Sequence, residues 1–280
     1  MKIKILGSGG GEGYPASFCT CEHCEQARKM RGKSLRSLSQ TLINDDLLID
    51  FPLDTDAHIV NYGLNLGKIQ NVLITHAHQD HYVPITVNLR GAPFAHNLAY
   101  EKMYFCGAEN LEAIYDAVIS PYGMNKEYRK NVGFVITEDK KSYSVGKYKV
   151  TAITALHAPE LGSLNYIIED GKKSILYLVD SGYPTEETLA YLQERKQIYD
   201  CVIMDGTMGV ALPKAYIYHM GFEENKMLKA ELLKRGMANH NTRFLVTHIT
   251  HNHAEYHEKV EKSFEGTGIE VAYDGYEMEL

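Results

Sequence analysis

Between residues 75 and 84 the chain reads THAHQDHYVP, which sets His76, His78, Asp80 and His81 within six positions. The preceding run NVLI is strand-like, so His76 and His78 project to one side of an extended segment. Asp80 and His81 follow where the chain turns. Four metal-competent side chains so close together crowd a single ion, but two can serve one ion while the next two face a neighbour. Imidazole with carboxylate suits zinc, iron or manganese. So polar a cluster directly after a buried-looking strand is costly unless it binds something.

The same event recurs downstream. YKVTAITALHAPE ends a strand on His157, SILYLVDSG on Asp180, CVIMDGT on Asp205 and RFLVTHITHNH on His248. A lone His in such a place is more often structural, and a lone Asp is commonly a loop cap. The set carries the argument, because several strands deliver a His or Asp at the same end. His219, in YIYHMGFEEN, lies just before an expected helix; read alone, it serves equally as a surface or capping residue and as a proton donor.

A second grouping sits near the start. FCTCEHC places Cys19, Cys21 and Cys24 within six residues, three of only five cysteines, with His23 among them. An odd, clustered cysteine count reads as metal binding before disulfides. Cys21 and Cys24 form a CxxC, but the third cysteine and the lack of a thioredoxin-like context weaken a redox reading. Cys106 and Cys201 fall on expected strands as buried apolar fillers. The run GSGGG is not a nucleotide fingerprint: from Gly7 the third glycine position is Glu12, from Gly9 it is Tyr14, and no GK[ST] follows. These glycines let the backbone turn tightly near the metal ligands.

The elements that must position these residues alternate along the chain. Strands are expected in 2–9, 41–51, 71–76, 103–107, 133–137, 148–156, 165–180, 201–206, 244–249 and 269–280. Most are short, rich in Ile, Val, Leu and Tyr, and bounded by Gly, Asp or Asn. Asp170-Gly171 between two β runs signals a hairpin. Helices are expected over 22–32, 55–64, 80–90, 108–119, 185–197, 222–236 and 252–264, with Thr185 as a cap and Glu186 and Glu187 in the first turn of one of them. This mixture implies layered α/β. With no linker, repeat or low-complexity tract, residues 1–280 read as a single domain with a cysteine-rich loop at 19–24.

The 280 residues, 44% hydrophobic and 23% charged, can bury a large core without cysteine staples. A net charge of −7 argues against a broad basic surface for nucleic acid. The apolar run in MKIKILGSGGG is too short for a signal peptide, and no stretch approaches the ~20 apolar residues of a membrane span. A reducing cytoplasm is the expected compartment.

THAHQDH, followed in order by His157, Asp180 and His248, resembles the HxHxDH pattern of the metallo-β-lactamase superfamily over nearly the whole chain. The resemblance implies an αββα sandwich of two mixed β-sheets flanked by helices, with a dinuclear metal site at one edge. It implies that His76, His78 and His157 hold one divalent ion, zinc or manganese. Asp80, His81 and His248 would hold the other, and Asp180 would bridge them. Asp50, in LLIDFPL, would position a ligating His, although Pro52 stands where a small residue is common. Asp80 and His219 would be the catalytic residues, His219 giving a proton to the leaving oxygen as in phosphodiesterase and tRNA-processing members.

The opening LGSGGGEGYPASFCTCEHCEQAR looks like a narrower branch, the phosphodiesterase of the carbon–phosphorus lyase pathway. That likeness implies a structural zinc on Cys19, Cys21, Cys24 and His251, which lies three residues beyond His248; His23, His253 and His257 are rival fourth ligands. The expected function is hydrolysis of a small cyclic or nucleotide-like phosphodiester. Alternatives are a tRNA 3′-processing endoribonuclease, a lactone or thioester hydrolase, a PqqB-like accessory protein, and a non-enzymatic metal-holding protein. Substrate contacts are expected from loops 91–100, 120–133 and 207–220. Lys126, Arg129 and Lys130 are read as facing solvent rather than a phosphate. A homodimer is what the resemblance suggests.

Overall fold

The computed structural model describes residues 1–122 and 129–280. One sheet contains β1 (Lys2–Gly7), β2 (Gln40–Ile43), β3 (Leu47–Ile49), β4 (Asn71–Leu73), β5 (Met103–Gly107), β6 (Val132–Ile136) and β14 (Tyr276–Glu279). Its order is β14-β1-β2-β3-β4-β5-β6. The other contains β7 (Ser142–Val145), β8 (Tyr148–Thr154), β9 (Leu164–Glu169), β10 (Ser174–Leu178), β11 (Cys201–Asp205), β12 (Arg243–Thr247) and β13 (Ile269–Val271), in the order β13-β12-β11-β10-β9-β8-β7. Each sheet is mixed: β3 to β6 and β10 to β13 run parallel, and the remaining pairs are antiparallel.

Side-chain alternation explains the layers. In β10, Ile175 and Tyr177 pack between the sheets, while Leu176 and Leu178 pack outward; in β11, Cys201 and Ile203 face inward and Val202 and Met204 outward. Both faces are apolar, as expected of parallel strands covered on both sides. The outward residues meet Leu189 and Leu192 of α4 (Glu186–Glu194), Leu228 and Leu232 of α5 (Phe222–Lys234) and Val260 of α6 (His257–Ser263). On the first sheet, Leu48, Val72 and Phe105 pack against Leu111, Tyr115 and Ile119 of α3 (Leu111–Ile119). The result is the expected αββα sandwich. Two further helices, α1 (Glu22–Met30) and α2 (Thr55–Tyr62), flank the N-terminal segment.

Local chemistry sets the boundaries. Thr185 Oγ1 accepts from Thr188 N at 3.2 Å and caps α4, and Glu224 Oε2 accepts from Gly221 N at 2.9 Å at the start of α5. Three expectations need correction. The helix expected over 80–90 is only a 3₁₀ segment, Pro84–Leu89, because Pro84 starts it late and the β-branched run behind it disfavours an α-helix. The strand expected over 269–280 is two strands in different sheets, split where Gly275 adopts φ 86°. Strand β7, short and polar at a sheet edge, was not expected at all.

Candidate active site

The ends of β4, β8, β10 and β12 converge on one edge of the sandwich and carry His76, His157, Asp180 and His248. Three residues there have left-handed backbones, Asp50 (φ 66°), Asp180 (φ 54°) and His248 (φ 59°). Each stops a strand abruptly and swings its side chain into the edge. Such conformations cost of order 1–3 kcal/mol apiece and gather at functional sites.

Three overlapping groups of ligand atoms result, within each of which the atoms lie within 4.8 Å of one another. His76, His78, His157 and Asp180 form one and Asp80, His81, Asp180 and His248 a second, together the expected dinuclear set; Asp180, Asp205, His219 and His248 form a third. Asp180 belongs to all three. Its Oδ2 lies 3.2 Å from His76 Nε2, 3.2 Å from His81 Nε2 and 3.3 Å from His157 Nε2. Asp80 Oδ2 lies 3.0 Å from His81 Nε2 and 3.5 Å from His248 Nε2. The structure thus brings together every residue expected in the dinuclear set.

The surrounding bonds choose which nitrogen faces inward. Asp50 Oδ2 sits 2.7 Å from His81 Nδ1, which donates to it and turns Nε2 to the cluster. Thr75 donates to Asp50 Oδ1 from N at 2.8 Å and from Oγ1 at 2.9 Å, so the carboxylate is itself fixed. His248 Nδ1 is 2.7 Å from Thr207 Oγ1, which donates onward to Asp205 Oδ1 at 2.7 Å. This is the outer shell a metal-binding imidazole needs. Thr207 is the residue sequence reasoning missed, and Asp205, noted at its strand end, was given no role. The signal was present in outline: Asp205 ends β11 as His248 follows β12, and Asp205 pairs in register with Thr247.

The edge fits divalent cations on its own geometry. His76 Nε2 and His78 Nδ1 are 2.8 Å apart, His157 Nε2 and His78 Nδ1 3.2 Å, and His81 Nε2 and His248 Nε2 3.3 Å. Asp180 Oδ1 and His219 Nδ1, 3.0 Å apart, are buried without a well-aligned hydrogen bond, and His157 Nδ1 is buried without a partner. Nitrogens and oxygens packed this closely must share protons or hold cations between them. Burial by itself would raise the Asp80 and Asp180 carboxyls, but His81 and His248 hold both well below the usual carboxylate range. Burial pushes His76 well below its ordinary value, with His81 adding to the effect. Asp80 and Asp180 are thus ionised and His76 neutral, as metal ligands are; against burial, the surrounding carboxylates instead raise His81 well above its ordinary value and His248 to about 10, charge that bound cations would replace.

His219 lies outside both dinuclear groups. Its Nδ1 is 3.0 Å from Asp180 Oδ1 and 3.8 Å from Asp205 Oδ1. Burial opposes its charge, but the Asp180 and Asp205 carboxylates outweigh that and push it up to about 9. Bound dications would draw on the same carboxylates and lower that value toward neutrality.

The glycine-rich turn closes the edge from the N-terminal side. A Cβ on Gly10 would lie 2.7 Å from Thr250 Cγ2 and 3.2 Å from the His248 ring, so a side chain there would displace a ligand. Beyond it lies the cysteine cluster. Cys19, Cys21, Cys24 and His251 present atoms within 4.8 Å of one another. His251 Nδ1 is 3.5 Å from Cys21 Sγ and 3.8 Å from Cys19 Sγ, while its Nε2 meets Glu12 Oε1 at 3.2 Å. The rivals go elsewhere: His23 Nδ1 faces the His251 carbonyl at 2.9 Å, and His257 Nδ1 faces buried Arg36 at 3.0 Å. Cys106 and Cys201 are buried, as expected.

A cavity of about 1380 Å³ runs between the two clusters, from Gly11 and Gln79 beside Asp80 to Cys19 and His251, with Ser37 and Asp274 in its wall. Among the described residues, none from the loops expected to contact substrate lines it. Arg129 pairs with Glu112 and Asp116 of α3 rather than standing free; Lys126 lies outside the described residues. No helix among the described residues is long and apolar enough to cross a membrane.

The family model described as "Beta-lactamase superfamily domain" matches residues 54–256. The chain belongs to the β-lactamase superfamily. Among curated proteins it is 23% identical over 226 residues to coenzyme PQQ synthesis protein B of Methylobacterium radiotolerans, covering 74% of this chain and 73% of that one. Among solved structures, a diphosphatase from the PhnP family aligns with TM-score 0.74 and 18% identity over 100% of this chain and 97% of its own. Zinc-bound PqqB from Methylobacterium extorquens aligns with TM-score 0.70 and 19% identity over 100% of both chains. At these identities the structural matches speak for the fold alone. The superfamily reading makes the His–Asp edge a divalent-metal site.

Proposed function

We propose that this superfamily member is a metal-dependent phosphodiesterase acting on small cyclic or nucleotide-like phosphodiesters. The observation that carries the reading is His219, whose Nδ1 lies 3.0 Å from the shared carboxylate Asp180 although it belongs to neither group of the expected dinuclear set. His76, His78 and His157 would hold one ion and Asp80, His81 and His248 the other, with Asp180 between them. Bound there, two zinc or manganese ions supply an acidified water, its pKa lowered from 15.7 to about 7, and neutralise charge on a phosphoryl oxygen. The protein's own groups do the rest. Asp50 and Thr207 orient His81 and His248, and Asp80 keeps a negative charge beside them. His219, held by Asp180 and Asp205, gives its proton to the departing alkoxide, a step a poor leaving group needs.

The cysteine cluster, by its three thiols and one imidazole, suits a closed structural zinc. In this reading it ties the N-terminal loop to the segment that bears His248. The protein then works on a small molecule in the cytoplasm, without nucleic acid or membrane.

The test is hydrolysis of bis(p-nitrophenyl) phosphate by zinc- or manganese-loaded protein, with His78→Ala as control. Turnover by the wild type and none by the variant supports the reading. A folded, metal-loaded protein that leaves the diester intact while cleaving precursor tRNA, a lactone or a thioester refutes it. Elemental analysis should find three metals per chain, one of which resists chelation.

A further inference from the structure

The segment joining β11 to α5 is fastened at several points yet exposes apolar side chains beside His219. Met208 N donates to the Met220 carbonyl at 3.0 Å, Phe222 N to the Gly209 carbonyl at 2.7 Å, and Met220 N to Asp205 Oδ2 at 2.8 Å. Lys214 N donates to Glu224 Oε1 at 3.0 Å. The Ile217 carbonyl is pressed against Gly182, where an added Cβ would come within 1.8 Å of it. A backbone held so firmly nevertheless leaves Tyr216 49%, Ile217 53%, Val210 71% and Leu212 81% exposed.

The rings of this region form a series leading out from the metal edge. His81 and His248 are stacked at 5.3 Å and 28°, His248 and His219 at 6.3 Å and 17°, and His219 and Tyr216 at 5.5 Å and 28°. Tyr218 meets the Tyr216 ring edge-on at 5.5 Å and steadies it. The inner rings are occupied by ligation or proton transfer. The outermost, half in water, is free to stack on something brought in.

We propose that Tyr216 is the substrate-binding platform for the leaving half of the phosphodiester, and that this half is a sugar carrying a planar base. The inference rests on the phosphodiesterase reading in one respect: a proton donor is needed only when the departing oxygen is an alkoxide, as from a sugar hydroxyl. Tyr216 adds the rest. It adjoins the donor and so lies on the leaving side, and its exposed aromatic face suits a flat, uncharged ring. The neighbouring side chains agree, since Lys214 is the only charged residue between Gly206 and Tyr218. Tyr216 would therefore set which diesters are good substrates, while the metal edge acts on all of them.

The experiment compares a nucleoside 2′,3′-cyclic phosphate with the same cyclic ribose phosphate bearing a methoxy group in place of the base. The wild type should favour the base-bearing diester in kcat/KM. Tyr216→Ala should shrink that preference by about 5- to 150-fold, the effect of removing one base-stacking ring, and Tyr216→Phe should retain it. Equal losses on both diesters, or no preference in the wild type, overturns the proposal. Calorimetric binding of a nucleoside monophosphate separates it from the catalytic reading. If neither diester is cleaved, the phosphodiesterase fails. The platform then stands if the monophosphate binds wild type and Tyr216→Phe more tightly than Tyr216→Ala, and falls if all three bind alike.

Discussion

The His–Asp edge and the cysteine cluster differ first in how the chain delivers them. The edge takes ligands from the ends of strands in both sheets, so it exists only once the sandwich is assembled. The cluster takes three sulfurs from one short stretch, and Cys21 immediately precedes α1. A single distant residue, His251, completes it. They differ also in exposure: Asp80, His81, Asp180 and His248 are buried, whereas Cys21 is exposed and Cys24 buried. Backbone hydrogen bonding from Cys24 pulls the Cys21 thiol down to about 6, and burial pushes Cys24 up to about 12. One site gathers imidazoles and carboxylates around a shared acid with a donor beside it. The other closes four ligands on themselves. In the proposed reading the first acts on substrate and the second holds the chain.

Breaking the edge should therefore end activity and leave the cluster. His78→Ala should reduce diester hydrolysis to background while elemental analysis still finds the chelation-resistant zinc. Loss of all metal together would show that the two sites are not separable. His219→Ala comes next, with kcat for an alkyl leaving group falling by about 10²–10⁴-fold. The p-nitrophenyl diester, whose leaving group needs no proton, should lose far less. Equal losses on both would deny His219 its role as acid. Asp205→Asn, which loosens His248 through Thr207 and the His219 loop through Met220, should lower metal affinity or activity about 10- to 100-fold.

Breaking the cluster should do the reverse. Cys24→Ser should cost the chelation-resistant zinc and lower the thermal midpoint, with activity reduced only through the loosened His248 segment. A variant that keeps the wild-type midpoint would show that the cluster is no structural clip.

Much of this was legible because ligand chemistry is local in sequence. THAHQDH and CTCEHC announce themselves by density, and Asp50 by its place at a strand end. The role of Asp205 was not legible, since it depends on the parallel pairing of β11 with β12, and an Asp-Gly-Thr after a strand reads equally well as a turn. The left-handed backbones of Asp50, Asp180 and His248 were hidden too, because nothing in the residue type requires them. The stretch 269–280 read as one strand because hydrophobic alternation cannot say which sheet a strand joins. There Asp274, accepting from Ser8 N at 2.9 Å and Ser37 N at 2.6 Å, pins the crossing point between sheets.

That crossing point gives the smallest effect and tests the wall between the two clusters. Ser37 Oγ lies 2.8 Å from His58 Nε2 and 2.5 Å from Asp274 Oδ2, and His58 Nδ1 lies 2.7 Å from Gln40 Oε1. Gln40 uses its amide nitrogen on Asp50 O at 3.0 Å, so its oxygen must accept from His58 Nδ1–H. Burial depresses His58 from 6.5 to about 4, with Asp54 only partly offsetting it. The folded state thus holds His58 neutral where the unfolded chain would protonate it. Its contribution is complete above about pH 6.5 and is lost as pH falls toward 4, a loss of roughly 3 kcal/mol at the limit. Asp274, raised by burial, works in the opposite sense and offsets part of this at the acid end. In urea unfolding, the stability difference between wild type and His58→Gln should shrink by roughly 2 kcal/mol between about pH 7 and about pH 5. A difference that stays constant would mean that His58 titrates alike in the folded and unfolded chain, and one that grows as pH falls would mean that it is protonated in the folded protein and linked to Asp274 through Ser37.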